Sequence, residues 1–133
     1  GVQLEVGSQA TPFEHRSFAE ELALCQRYMH RWDGTTGGNN TLLCMGFASS
    51  TDRARGVYTY PQTMRASPSL SATGDYRFFE GSVRTVTSGN VTIQRDGVTQ
   101  CFVQFLSTAA TQYRPCEMSA NGTDCSIDFE AEL

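Results

Sequence analysis

The sequence predicts a mainly β domain, a jelly-roll-like β-sandwich preceded by one N-terminal α-helix. Three observations carry this. About seven or eight short strand-like runs, rich in Val, Phe, Tyr and Thr, recur every 8–12 residues or so between turn signals, which is the spacing of sandwiches. Apolar residues make up only 39% of the 133 residues, and Ser, Thr and Gly are abundant, as in strands joined by polar turns. Only one stretch, within Thr11–Trp32, has a helical pattern.

The helix is read from its cap. Ser17 is a good N-cap, and Glu20 three residues on completes a capping box, in which each side chain satisfies the other's backbone N–H. Glu20 and Glu21 set negative charge in the first turn, where the helix dipole favours it. Phe18, Leu22, Cys25 and Met29 recur at three- and four-residue steps with Tyr28 and Trp32 beside them, so they form one face. Asp33-Gly34 is the predicted stop, for a helix of about 13 residues. Such a helix cannot bury its stripe alone and must lie on a sheet or on a neighbouring subunit.

The strands follow in order. Val2, Leu4 and Val6 alternate as in a strand, and 7–12 is a turn or linker. Gly34 to Asn40 is a polar loop. Leu42–Ala48 and Ala54–Tyr60 are strands around a Ser49–Asp52 turn, with Tyr58 and Tyr60 packing within the sheet. Pro61 and Pro68 cannot donate to a ladder, so this region is an exposed or irregular edge. Leu70–Thr73, Tyr76–Phe79 and Ser82–Val86 are short strands. The strongest hairpin signal is Val91–Arg95, Asp96-Gly97, Val98–Leu106. Gln112–Met118 is a strand that Pro115 demotes to an edge, and Ser126–Glu132 closes the chain with Ile127, Phe129 and Ala131 on one face. No repeat or heptad pattern is visible.

Three separated segments resemble one family. Glu14-His15-Arg16-Ser17 with Glu21-Leu22-Ala23-Leu24-Cys25-Gln26-Arg27-Tyr28 is similar to the start of a C-terminal domain of phage tail-fibre and related virion proteins. Tyr60-Pro61-Gln62-Thr63-Met64-Arg65-Ala66-Ser67-Pro68 resembles that family's aromatic-Pro-x-x-Met-Arg-x-x-Pro segment. Ile127-Asp128-Phe129-Glu130-Ala131-Glu132-Leu133 resembles its closing strand. Residues 1–12 look like the link from an upstream fibre module, with residues 13–133 as the tip domain, so the chain reads as a piece of a longer protein. The resemblance implies a homotrimer, with the helices near the shared axis. The low apolar content fits a core completed by association. The resemblance also implies a place on the virion, in a tail or capsid fibre facing the extracellular medium.

Composition narrows the functional classes. The net charge is −4 and all ten basic residues are arginine, with no basic stripe, which argues against nucleic acid as a partner. No stretch approaches the roughly 18 apolar residues of a membrane span, so no membrane insertion is expected. Five cysteines cannot all pair within one chain. Cys25 and Cys101 read as buried small hydrophobes, and Cys116 and Cys125 flank a turn across which a disulfide is conceivable. The cysteines and histidines lack the spacing of a zinc site, and no metal or cofactor is implied. Three Asn-x-Thr triplets begin at Asn39, Asn90 and Asn121, all in predicted turns; the phage-like resemblance favours coincidence over glycan acceptors.

No catalytic motif appears. There is no G-x-S-x-G, no H-E-x-x-H and no phosphate loop, and Ser17 beside Glu14-His15-Arg16 is better used as a helix cap than as a nucleophile. Glu14, His15 and Arg16, together with Leu22 and Arg27, are the candidate trimer-interface residues. Arg16 is suited to pair with a carboxylate. The candidate ligand-binding residues are Trp32, the only tryptophan, and Tyr113 with Arg114 in a Pro-bounded segment; core packing is the competing reading for Trp32. The expected function is non-enzymatic attachment of a fibre tip to a host-surface glycan or protein receptor. A structural trimerisation cap and a polysaccharide depolymerase are the alternatives.

Overall fold

The computed structural model describes residues 6, 7, 9, 15–35, 40–107 and 110–131. The predicted strand over residues 1–6 and the interface candidate Glu14 therefore lie outside or almost outside the described residues. The described chain folds into one helix, α1 (Phe18–Gln26), and ten strands: β1 (Met29–Asp33), β2 (Leu42–Ser50), β3 (Arg53–Thr59), β4 (Ser69–Thr73), β5 (Asp75–Phe79), β6 (Val83–Thr87), β7 (Val91–Gln94), β8 (Gln100–Leu106), β9 (Pro115–Ala120) and β10 (Ser126–Glu130). Seven strands form one antiparallel sheet in the order β6-β5-β9-β2-β3-β8-β7, and three form a second, β1-β10-β4. The two sheets enclose the core in a sandwich-like arrangement.

Alternation builds that core. On the inner face of the large sheet stand Tyr76, Phe78, Val103, Phe105 and Met118, all fully buried. The small sheet answers with Ile127 and Phe129, also fully buried, and with Trp32. Phe129 stacks on Tyr58 with ring centroids 5.0 Å apart and meets Tyr60 edge-on at 5.3 Å. Aromatic pairs of this geometry add about 0.5–1.5 kcal/mol each beyond the area they bury. At the other end of the interlayer, Trp32 leans on Tyr76, whose hydroxyl shares its one proton between the carbonyls of Thr73 and Ser126, 2.8 and 2.6 Å away. The same burial pushes the Tyr58 hydroxyl up to about 12.

The helix is shorter than its sequence pattern. The capping box forms as read, but α1 ends at Gln26. The Tyr28 N–H closes back on the Cys25 carbonyl at 2.9 Å, and residues 29–33 become β1, paired over five positions with β10. Five residues of ladder, with Trp32 inserted into the core, outweigh the one further helical turn that the spacing allowed. Two other expectations are corrected. Pro115 does not make β9 an edge: β9 lies between β5 and β2, because proline at a strand's first residue withholds no ladder donor. Cys116 and Cys125 do not pair, and all five cysteines are free; Cys125 instead donates to the Asp75 carbonyl.

His30 joins the layers. Its Nε2 lies 2.7 Å from the Tyr58 hydroxyl, and its ring lies nearly parallel to the Tyr58 and Phe129 rings on the flank of that pair, with centroids 5.9 and 6.2 Å away. Burial holds its pKa below the ordinary 6.5. The folded state therefore binds fewer protons here than the unfolded chain, so stability is full above pH 6.5 and falls as pH drops toward the folded value. The melting temperature should decline from pH 7 to pH 5, and His30→Gln should flatten that slope. On the outer face of the small sheet, Arg31 grips Asp128 with two bonds of 2.6 and 2.7 Å. The hydrogen bonds and charge of Arg31 keep the Asp128 carboxyl below its usual range. Its contribution is present above the ordinary aspartate value and is lost as pH falls through the depressed one.

Candidate functional site

The register places the chain's connections at two ends of the large sheet. β3 runs from Ala54, opposite Ala48, to Tyr60 just past its end. These six steps separate the two ends by roughly 20 Å.

At one end lies the helix. The segment Tyr60–Pro68 leaves β3 as a strap across to β4, and its prolines fall outside every ladder. Its Tyr60 and Met64 N–H groups bond to Thr99 and Val98 at 3.0 and 2.7 Å, and Met64 is buried. The Arg65 N–H donates to the Arg27 carbonyl at 2.7 Å, and the Ala131 N–H donates to the Tyr28 carbonyl at 2.7 Å. The Arg65 guanidinium lies over the Tyr28 ring, 5.3 Å from its centroid. The helix end, the strap and the last strand thus meet at one corner.

The predicted interface residues sit on this corner. His15, Arg16, Leu22 and Arg27 are all exposed, and Arg16 meets Glu21 of its own chain at 3.5 Å. Sequence reading expected Cys25 to be buried; it is exposed, as are Phe18 (82%) and Leu22. No residue of α1 is buried. Among the described residues the stripe finds no cover within its own chain.

At the opposite end three connections meet: 51–52, 80–82 and the segment that enters β9 at 110–114. The Ala110 N–H ties the third to the first through the Thr51 carbonyl at 2.9 Å, and a buried carboxylate ties it to the second. Glu80 receives the Thr111 N–H on both oxygens at 3.0 and 2.9 Å, while Arg84 Nε lies 3.6 Å away, within range of its charge but too long for a hydrogen bond. Arg114 donates to the Glu80 backbone carbonyl at 3.0 Å. The turn above is fixed in both directions: the Tyr113 N–H bonds to the Ala48 carbonyl at 2.7 Å and the Ala48 N–H to the Arg114 carbonyl at 2.8 Å. Tyr113 is thereby held at φ +66°, in the left-handed region, with its side chain left in water. Beside it, Arg114, Pro115, Gly81, Phe79, Met45 and Glu117 line an open depression of about 440 Å³.

Two of the three predicted ligand residues, Tyr113 and Arg114, are therefore accessible neighbours on a braced turn. The third is not. Trp32 is 9% exposed and packed in the core, with Gly34 against its ring, so it takes the structural role that was its competing reading. Sequence reading missed Glu80, which reaches its partner 31 residues away. Its only signal was a lone acid beside Gly81.

Among the described residues no group of three or more His, Cys, Asp and Glu side chains is placed to hold a metal ion, and no helix is long and apolar enough to cross a membrane. Comparison with known proteins found no matching family model, no matching curated protein and no matching solved structure.

Proposed function

We propose that this domain is the tip of a viral fibre, a homotrimer with jelly-roll-like subunits that attaches the virion to a host-surface glycan or protein without chemical catalysis. The observation that carries this reading is the separation of two unlike ends. One holds a short helix whose apolar stripe is uncovered, suited to self-association beside an upstream fibre module. The other, roughly 20 Å away along β3, holds an exposed tyrosine and arginine on a turn fixed by a buried carboxylate. An exposed aromatic with an adjacent guanidinium suits a sugar ring or a protein side chain, since the ring offers an apolar face and the guanidinium the donors left beside its bond to the Glu80 carbonyl. Three such sites held rigidly together bind by avidity, so each can be weak.

Host-cell binding by the intact domain tests the reading, with Tyr113→Gly as the informative variant. Glycine relieves the left-handed strain, which costs a tyrosine roughly 1 kcal/mol. Stability should hold or rise slightly while cell binding drops by at least about tenfold. Equal binding by Tyr113→Gly and Arg114→Gln would remove this end from recognition. Release of sugars from host envelope material would favour the depolymerase alternative.

A further inference from the structure

α1 turns its apolar stripe away from its own chain. Its less exposed residues are Ala23 and Gln26, and Arg16, Glu20, Leu24 and Arg27 join Ala23 in facing Gln62 of the strap across a cleft of about 420 Å³. Phe18, Leu22 and Cys25, at i, i+4 and i+7, point to a different side and stay in water. The bonds from Arg65 to Arg27 and from Ala131 to Tyr28 hold the C-terminal end of α1 beside the strap.

A second apolar surface is uncovered on the outer face of the seven-stranded sheet. Val83 pairs with Phe79, Phe79 with Glu117, and Glu117 with Met45. One step on from the Gly46–Gly56 pair, Met45 stands beside Val57, which pairs with Phe102. This belt crosses six strands, so it spans roughly 24 Å. Met45 is 63% exposed, and Val83, Phe79 and Val57 are each about half exposed. The outer face of the three-stranded sheet is more polar, with Arg31, Asp128, Glu130, Ser71 and Thr73 around a single exposed Met29. Beside the belt stand Arg55 and Arg77, and Phe, Met and Arg are residue types enriched at protein interfaces.

We propose that the helix stripe of one copy lies on the sheet belt of the next, joining the chains head to tail; this rests on the self-association reading above. The nine residues of α1 span roughly 14 Å, which fits within the belt. The exposed parts of the stripe and belt residues together amount to on the order of 700 Å², short of the roughly 1,200 Å² of a specific interface, so the polar rim supplies the rest. Two unlike surfaces on one chain make a heterologous contact, which closes into a ring when the rotation from copy to copy closes, as a trimer requires, and otherwise runs on as a filament. Phe79, Met45 and Glu117 also wall the depression beside Arg114, so the ring covers that wall and leaves for recognition Tyr113 and the outward edge of Arg114, which precede β9 and stand beyond the row.

Cys25 makes this testable, because the other four cysteines are buried. In the full chain carrying Val57→Cys, mild oxidation should give a disulfide between Cys25 of one chain and the introduced thiol of another. A Cys25–Cys25 link in the unsubstituted chain would overturn the proposal in favour of a helix bundle. Leu22→Glu and Met45→Glu should each weaken assembly by at least about 100-fold, since each would bury an unpaired charge, with the monomer's melting curve retained. Mixing the two variants should restore a two-chain complex, because each supplies the surface the other lacks. Assembly that survives Met45→Glu, or a mixture that restores nothing, overturns the head-to-tail contact alone. A monomeric unsubstituted chain overturns self-association as well.

Discussion

Replacing Phe129 with alanine should destabilise the domain by about 3–5 kcal/mol. Phe129 is fully buried and is the only ring of β10 in the core. It stacks on Tyr58, meets Tyr60 edge-on and carries His30 on its flank, 6.2 Å away. Truncation removes its transfer free energy and leaves a cavity between two sheets that cannot collapse without sliding their ladders. β10 is the middle strand of the small sheet, so the cavity also loosens β1 and β4. A domain of this size has roughly 5–15 kcal/mol of stability in total, so the variant should sit near the folding threshold. Urea unfolding at fixed chain concentration measures it. A loss below about 1 kcal/mol would show that the two sheets do not pack through this ring.

Gly46→Ala should be worse, although it adds one methyl group. Gly46 faces Gly56 across β2 and β3. A Cβ at Gly46 would collide with the Arg55 carbonyl oxygen, and one at Gly56 with the Cys44 sulfur. The first clash is with backbone, which yields only if the central ladder breaks. Gly46→Ala should therefore give chain that fails to fold at 37 °C, whereas Gly56→Ala, meeting a side chain first, should fold with a lowered melting temperature. Circular dichroism of the purified variants compares them. Two equally stable variants would contradict the close approach of these strands.

Much of the fold was legible because its signals are local. The capping box of Ser17 and Glu20, the β7–β8 hairpin and the short strands around Gly81 all depend on neighbours in sequence. β1 was not legible. Met29 and Trp32 also fit helical spacing, and only pairing with β10, almost a hundred residues away, decides for a strand. Cys25 was misread for a related reason: helical spacing marks an apolar stripe but not whether anything covers it, and among the described residues nothing does. At the candidate site, Tyr113 and Arg114 were found from their place beside Pro115. The Glu80 brace and the belt were not, because Leu42, Leu43, Cys44, Met45 and Phe47 form a nearly continuous apolar run that hides which residues face out. The pairing of β2 with β9 and β3 reveals it.

Light scattering on the purified chain at micromolar concentration tests the central claim most directly. The account predicts a stable particle with the mass of three chains of 14.6 kDa each, its exposed stripe and belt covered by copies of itself. A particle with the mass of a single chain, stable and folded at that concentration, would contradict it.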